Sequence, residues 1–427
     1  MGRNVLALLG KRKFLPFFLT QFLGAFNDNA FKLSMLTLIS YRLTQVQAVS
    51  EYYQAIASII FILPFFLFSA IAGQLADKYN KALLIRIIKL AEVGFMIIGS
   101  FALYYGSVFW MMFTLAGMGT HSTFMGPIKY AIIPDHLEQD ELLGGTSLVD
   151  ASTFVAILLG TTLGSLAIGV EGAPYTAIFM TVIAALCGLL ASVFIPPAPA
   201  AYPSLRVDFL FWRATRDLLI QALAYKKILF VILILSWFWL IGTILLTKLP
   251  DYTHYVLGAD NTVFALFLTL FSVGLATGSL AVNLILRGKI ILTIVPWAMI
   301  AFTFFALDLA LISKQTMTTD LLTIHTYFEQ FRNWRIAADF FLMAMSCGLF
   351  LVPLYTYLEV KSPPKIRARV IATNNLYNSL FMVLGTLLVM LLLHWQVTIP
   401  QVFLSVALAT LLIAAAIGIL LKRIDMQ

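Results

Sequence analysis

Several polar side chains lie close together in an apolar stretch near the N-terminus, where Asn27, Asp28, Asn29 and Lys32 fall within six positions. Ionised groups in lipid are costly, and they usually mark an ion path, a ligand site or a neutralised pair. Asp28 and Lys32 are four residues apart and share one helical face, so they form either a structural ion pair or part of a polar binding site. The two flanking amides exceed what a single pair needs, which favours a site.

A second candidate cation, Lys129, follows Gly126 and Pro127 in another apolar stretch. A lysine near a helix end commonly extends its ammonium to the lipid headgroups, and this is the simpler interpretation. If Lys129 faces a cavity instead, its ammonium is a compact point charge that suits a lipid phosphate. Both interpretations are open at this point.

The elements that must position these residues are membrane helices. Hydrophobic residues make up 61% of the 427 residues, charged residues 11%, and the mean hydropathy is +0.94. A membrane-crossing helix needs about 20 apolar residues, so the chain has room for about a dozen spans and no soluble catalytic domain. The apolar stretches predict spans at 14–41, 53–76, 83–105, 108–133, 145–169, 174–195, 228–250, 262–286, 290–312, 337–358, 370–393 and 399–421.

The fold class expected is an all-α polytopic membrane protein with twelve transmembrane helices in two six-helix halves. We place the halves at residues 1–197 and 228–427, joined by a basic linker at 198–227. With the N-terminus inside, roughly 20 of the 28 Lys and Arg residues fall on the cytoplasmic side and about 4, Lys314 among them, on the other. Both termini are therefore expected in the cytoplasm. The net charge of +8 is dispersed over loops, which argues against nucleic-acid binding.

This architecture resembles the major facilitator superfamily, whose two halves alternate access to a central site. The loop Gly73–Lys81 strengthens the resemblance, because it is similar to that superfamily's cytoplasmic Gly-x-Leu-Ala-Asp-Arg motif, with Lys78 in place of the first Arg. Such a loop offers an Asp that accepts bonds from a neighbouring helix end, and cations for other helix ends. We interpret Gly73, Asp77, Lys78 and Lys81 as a gating loop. The alternative is a solvated basic turn.

Three motifs resemble the bacterial lysophospholipid transporter family: residues 21–30, 126–133 and 150–160. In the second half, residues 374–379 resemble its eleventh helix, with Asn378 where members can carry Glu. The resemblance implies a flippase of the bacterial inner membrane, which moves lysophospholipid to the cytoplasmic leaflet for re-acylation by an acyltransferase partner. The candidate substrate-binding residues are Asn27, Asp28, Asn29, Lys32, Lys129, Asn375 and Asn378.

Other functions are kept open. One alternative is a proton-coupled exporter of amphiphilic compounds that protonates Asp28, and another is a membrane scaffold without transport. Catalysis is not expected, because none of the five histidines has an Asp five positions later, as the acyltransferases require. The two cysteines lie in apolar helical sequence and indicate no metal site. We expect no cofactor, and a monomer surrounded by membrane lipids.

Overall fold

The computed structural model describes residues 5–44, 46–168, 174–313 and 321–423. In this part of the chain the protein is helical, and its β-structure is limited to one isolated bridge between Ala259 and Leu322. Twelve long helices are present among the described residues. The first six are α1 Leu15–Leu38, α2 Gln47–Lys78, α3 Lys81–Tyr105, α4 Val108–Ala131, α5 Leu142–Leu166 and α6 Tyr175–Val193. The second six are α7 Lys226–Asp251, α8 Asn261–Leu286, α9 Ile294–Ile312, α10 Phe331–Lys361, α11 Arg367–His394 and α12 Ile399–Arg423.

Each long helix overlaps one predicted span, so the all-α polytopic fold class is confirmed. Nine helices of the described part are long and apolar enough to cross a membrane by length and composition. The three others, α1, α3 and α4, carry the ionisable side chains of the candidate site. The extreme termini, predicted to be cytoplasmic, and Lys314 lie outside the described residues. The halves at 1–197 and 228–427 stay a prediction.

The chain divides into two compact units. One unit comprises residues 3–229 together with 358–376, which are the end of α10 and the start of α11. The other comprises the described residues of 230–357 and 377–423. The predicted site and gating residues therefore fall in the first unit, apart from Asn378.

Local capping explains where α3 begins and ends. Asn80 precedes the helix, and its side-chain oxygen accepts hydrogen bonds from the backbone N–H groups of Ala82 and Leu83. These donors have no partner within the helix, so the cap stabilises the first turn. At the other end Gly106 has a φ of 67°, a left-handed conformation that glycine adopts without steric cost. The two caps therefore set the ends of the helix that carries Lys89 and Glu92.

Small residues bring α1 close to α5 in the first unit. An added Cβ at Gly164 would lie 2.8 Å from the Cα of Ala30, and one at Gly160 would lie 2.5 Å from the carbonyl oxygen of Phe26. The two glycines are four residues apart on one face of α5, a spacing that lets membrane helices approach backbone to backbone. The Ser34 hydroxyl also donates to the carbonyl of Gly164 at 2.8 Å. This contact fixes the position of α1 and its polar residues.

The central linker contains a further helix, Phe211–Ala224, which packs on α2. Its buried side chains Ala214 and Leu218 contact Ala70 and Ile71 of α2, and Ala372 of α11 joins this cluster. The linker is thus partly a structured element that contacts the transmembrane helices.

The α1–α5 contact predicts that Gly164→Ala destabilises the fold. The added methyl group overpacks a backbone contact, which costs about 1–3 kcal/mol in the free energy of unfolding. The matched control is Gly94→Ala, since no atom lies within 4 Å of a Cβ added at Gly94. Thermal unfolding in detergent, followed by tryptophan fluorescence, should show a lower midpoint for Gly164→Ala only. Equal midpoints for the two variants would contradict the packing described.

Candidate functional site

Four ionisable side chains from three helices of the first unit meet at membrane depth. α1 contributes Asp28, α3 contributes Lys89 and Glu92, and α4 contributes His121. We call this group, with Asn27 and Ser122, the buried ionic network. Its four ionisable side chains are at least nine-tenths buried, and Glu92 is fully buried. Groups of this kind need partners, because charges without partners in lipid are strongly unfavourable.

Glu92 lies at the centre of the buried ionic network. Its carboxylate forms an ion pair with Lys89 one helical turn earlier, and it accepts a hydrogen bond from the amide of Asn27 at 2.8 Å. His121 Nε2 lies 2.8 Å from the second carboxylate oxygen. Lys89 and Glu92 are three residues apart on α3, a spacing that favours their pairing. Glu92 thus has three polar partners, on three helices.

Asp28 lies at the edge of the same network. It accepts a hydrogen bond from the hydroxyl of Ser122, and its Oδ1 lies 3.8 Å from His121 Nδ1. Gly188 makes room for the neighbouring lysine, since a Cβ added there would lie 2.7 Å from Lys89 Nζ. The site therefore depends on a glycine of α6 as well as on the polar side chains.

Lys32 does not pair with Asp28, although their spacing allows it. Among the described residues no ion pair involves Lys32, and its ammonium lies over the ring of Phe61 at 5.5 Å from the centroid. The structural ion pair considered from the sequence is therefore wrong, because Asp28 turns towards α4 and Lys32 towards α2. Asn29 also turns away, donating to the Ala25 carbonyl of its own helix at 2.8 Å.

Lys129 belongs to a second polar group, nearer the start of α1 and α5. Its ammonium donates to the Thr153 hydroxyl at 2.6 Å, and Thr153 donates to Gln21 at 3.1 Å. The adjacent Tyr130 hydroxyl donates to Asp150 at 2.7 Å. The ammonium of Lys129 thus points at α5 inside the bundle, and the interpretation in which it extends along α4 to the headgroups is wrong.

The asparagines of α11 fall into different units. Asn375 belongs to the first unit, where its amide nitrogen would lie 2.6 Å from a Cβ added at Gly126, close to Lys129 in the chain. Asn378 belongs to the other unit, where its side-chain oxygen accepts from the Ser236 hydroxyl at 2.9 Å. Of the seven predicted substrate-binding residues, Asn27 and Asp28 share the buried ionic network, and the other five have different neighbours.

The predicted gating loop meets the start of α11. Asp77 is fully buried, accepts from the backbone N–H of Ala368 at 3.0 Å, and pairs with the Arg369 guanidinium at 2.9 Å. The N-terminal end of a helix carries free N–H groups and partial positive charge, so it favours a carboxylate. A Cβ added at Gly73 would lie 2.7 Å from that of Ala372, so this glycine permits the close approach.

The cations of this loop have separate partners. Lys81 pairs with Asp135 at 2.8 Å, and Arg367 of α11 lies 3.7 Å from the same carboxylate. The Lys78 ammonium lies over the ring of Tyr79, at 5.5 Å from its centroid. Nearby, Glu359 at the end of α10 is fully buried and accepts from the Thr146 hydroxyl at 2.8 Å. Gly73, Asp77 and Lys81 thus lie where α2 and α3 meet α11, whereas Lys78 contacts its own neighbour.

Sequence reasoning does not identify four members of the candidate site. The spacing of Lys89 and Glu92 indicates only an ion pair, and nothing in the sequence connects His121 and Ser122 with α1. A signal was present, because His121 lies in a polar run from Thr120 to Thr123 inside an apolar helix. Among the described residues no group of three or more His, Cys, Asp or Glu side chains is arranged to hold a metal ion.

The fold and the buried polar groups define the class of protein. The family model of the Major Facilitator Superfamily matches residues 17–328, more than half of the chain, so the chain belongs to that superfamily of membrane transporters. The human organic anion transporter MFSD10 has the same fold, with a TM-score of 0.70, 15% identity, and coverage of 94% of this chain and 98% of its own. The fucose:proton symporter of E. coli gives a TM-score of 0.71 at 13% identity, covering 96% and 99%.

The relatives that are similar in sequence have more specific names than these solved structures do. The chain is similar to the lysophospholipid transporter LplT of Serratia proteamaculans, with 26% identity over 381 residues, which are 87% of this chain and 86% of that protein. It is also similar to the lysophospholipid transporter LplT of Citrobacter koseri, with 30% identity over 183 residues, 43% of each chain.

The buried ionic network predicts strong energetic coupling between Lys89 and Glu92. Lys89→Met and Glu92→Gln should each lower the free energy of unfolding by about 3–5 kcal/mol, because each leaves a buried charge without its partner. The double variant should be less destabilised than the sum of the single variants. The control is the same cycle at Arg216 and Asp217, an exposed pair on the linker helix whose coupling should be near zero.

Thermal and denaturant unfolding of the purified protein in detergent provides these free energies. Additive effects at Lys89 and Glu92, equal to those of the exposed pair, would show that the contact contributes nothing to the stability of the bundle.

Proposed function

We propose that this protein is a lysophospholipid transporter that moves its substrate to the cytoplasmic leaflet by alternating access. The observation that carries the proposal is the similarity to the Serratia lysophospholipid transporter along 86% of that protein's length. Because it covers most of both chains, the similarity extends well beyond any single motif. The polar groups of the first unit fit the proposal.

A lysophospholipid joins one acyl chain to a phosphate-bearing headgroup. Such a substrate needs a polar site within an apolar bundle, and the first unit has two polar groups along α1. Gln21 and Asp28 are seven residues apart, two helical turns, so they lie on one face with a rise of about 10 Å between them. Lys129 beside Gln21 provides a cation for the phosphate. The buried ionic network, which includes Asp28, provides two carboxylates and the amide of Asn27 for the amine of a headgroup.

Gating is assigned to the contact between the loop Gly73–Lys81 and the start of α11. In alternating access, contacts at the end of a bundle that close one entrance must break when that entrance opens. Asp77 is suited to this role, because the N–H groups and the guanidinium that it binds can all be hydrated once released. Lys81 and Lys78 add cations at the same end of the bundle, and Gly73 permits close contact.

The cellular setting follows from the charge pattern and the relatives. We place the chain in the bacterial inner membrane as a monomer, with both termini in the cytoplasm, since its basic residues concentrate on one side. The chain itself is assigned no catalysis. Re-acylation of the delivered lysophospholipid is assigned to a separate acyltransferase on the cytoplasmic side.

The proposal predicts uptake of lysophospholipid that depends on both polar groups. Cells or spheroplasts lacking their own transporter should take up labelled lysophosphatidylethanolamine when they express this chain. Asp28→Asn and Lys129→Ala should each reduce the initial rate about tenfold, because losing a buried polar contact costs about 1–3 kcal/mol and about 1.4 kcal/mol is a factor of ten. The rate is measured at matched expression.

Lys248→Ala is the control, since Lys248 pairs with a half-exposed Asp251 at the end of α7. This variant should transport as the unmodified chain does. If the unmodified chain takes up no lysophospholipid but lowers the cellular content of amphiphilic dyes, the exporter alternative replaces the proposal. Uptake that is insensitive to Asp28→Asn and Lys129→Ala would remove both groups from the substrate path.

The gating assignment predicts that Asp77→Asn slows transport without changing the substrate. The amide has no charge for Arg369, and its NH₂ group cannot accept a bond from the N–H groups of α11. We expect an uptake rate lower by about fivefold, equivalent to about 1 kcal/mol. Asp217→Asn on the exposed face of the linker helix makes the same chemical change and should have no effect. Equal rates for the two variants would contradict a gate at Asp77.

A further inference from the structure

The linker helix Phe211–Ala224 has a second apolar face that the fold leaves exposed. Its first apolar face packs on α2. On the other side of the helix, Trp212, Ile220 and Leu223 are each between 57% and 59% exposed. With 14 residues, three of them charged, the helix is too short and too polar to cross a membrane. A membrane-spanning position therefore does not explain why these side chains are exposed.

Helical geometry collects the exposed side chains into one stripe. Leu219 and Leu223 follow Trp212 by seven and eleven residues, which are two and three turns, so these three lie along one line. Ile220 lies beside that line. We call Trp212, Leu219, Ile220 and Leu223 the outward stripe. A helix with two apolar faces has one for the protein core and needs a second apolar surrounding for the other.

Basic side chains accompany the outward stripe. Helical spacing places Arg216 within it and Arg213 at its edge, and the side chain of Arg216 is 69% exposed. Lys226 and Lys227 follow the helix, so residues 198–227 carry five basic and two acidic side chains. A basic helix with Trp and Leu on an exposed face is typical of helices that lie in the membrane interface. Its charge is complementary to a leaflet of anionic phospholipids.

The contact with α2 places this helix beside the transmembrane helices. The residues of α2 that it covers, Ile71 and Ala70, lie seven and eight residues before the end of α2 at Lys78, a rise of about 10 Å. Ala372, which belongs to the same cluster, lies five residues into α11. The linker helix thus lies alongside α2 and not beyond its end. A face turned away from α2 at this level meets the boundary between headgroups and acyl chains.

Contacts before the helix fix its rotation about its own axis. The backbone N–H of Asp208 donates to the side-chain oxygen of Gln74 at 2.8 Å, and the Asp208 carboxylate accepts from the N–H of Leu210 at 2.9 Å. Val207 packs on the apolar cluster that joins the linker helix to α2. The outward stripe is therefore held away from α2.

We propose that the linker helix docks on the cytoplasmic leaflet of the membrane. The outward stripe inserts among anionic phospholipids, and their phosphates pair with Arg213 and Arg216. Guanidinium groups suit this role, because they bind phosphate through two hydrogen bonds. The choice of leaflet rests on the cytoplasmic position proposed for the linker, whereas docking itself does not depend on the transported substrate.

The test uses the full-length protein in single-copy nanodiscs of phosphatidylcholine, either alone or mixed with phosphatidylglycerol. Cys187 and Cys347 are replaced by alanine, and a nitroxide is attached at Leu223→Cys or, as the matched site, at Asp217→Cys. Asp217 is exposed and lies about 120° around the same helix from Leu223. Power saturation measures collisions of the nitroxide with oxygen, which concentrates in lipid, and with a neutral nickel chelate, which stays in water. Size-exclusion profiles confirm that each labelled protein is folded.

In discs with phosphatidylglycerol, the label at 223 should collide mainly with oxygen and the label at 217 mainly with nickel. Arg213→Gln and Arg216→Gln should each raise nickel collisions at 223 about fivefold, the equivalent of about 1 kcal/mol for one basic residue at an anionic surface. In phosphatidylcholine alone the two variants should differ little from the unmodified chain. Arg42→Gln is the control, because it removes one charge from an exposed arginine after α1 and should change nothing.

Three results would overturn the proposal. Equal nickel collisions at 223 and 217 in discs with phosphatidylglycerol would show that the outward stripe faces water. A label at 223 that is shielded from both oxygen and nickel would show that protein, and not lipid, covers the stripe. Contact with lipid that neither arginine variant alters would reject the pairing with anionic phosphates. Lysophospholipid uptake is measured separately, so failure of the docking and failure of the proposed function are distinguishable.

Discussion

The cost of keeping ionised side chains away from water governs the first unit of this protein. Glu92 is fully buried, and it is tolerable there only because Lys89, Asn27 and His121 surround it. These partners come from α3, α1 and α4, so the carboxylate holds three helices in one arrangement. Gly188 belongs to the same constraint, because Lys89 occupies the space that a side chain at this position would fill. Packing and electrostatics are thus satisfied by one set of contacts.

The same constraint has a different outcome at the start of α11. Asp77 is as buried as Glu92, yet its partners are two backbone N–H groups and one guanidinium at a helix end. Water can hydrogen-bond to these donors once the contact between Asp77 and α11 has opened, so no polar group is left without a hydrogen-bond partner. The network around Glu92 has no such alternative at membrane depth. One carboxylate is therefore suited to a contact that opens, and the other to a contact that persists.

The sequence was sufficient to predict the helices. It did not show how each helix is rotated about its own axis relative to its neighbours. The lengths of the apolar stretches and the positions of the basic loops predicted all twelve long helices, because the length and hydropathy of a span can be read from consecutive residues. Asp28 was identified from its cost in lipid, and Asp77 from the resemblance of its loop to the superfamily's motif. The error at Lys32 arose because helical spacing shows which residues share a face, and not which neighbouring helix that face meets. Asp28 and Lys32 are four residues apart, and the angular difference between them is enough for one to meet α4 and the other α2.

The position of α1 connects the two polar groups of the first unit. Gln21 joins this helix to Lys129 through Thr153, and Asp28 joins it to Ser122 of α4 two turns later. Gly160 and Gly164 of α5 press against the segment of α1 from Phe26 to Ala30, so a displacement of α1 is resisted at the depth of Asp28. A rigid α1 keeps the two polar groups about 10 Å apart. An amphiphile with separated charges on its headgroup can then contact a cation at one group and a carboxylate at the other, while α1 itself stays in place.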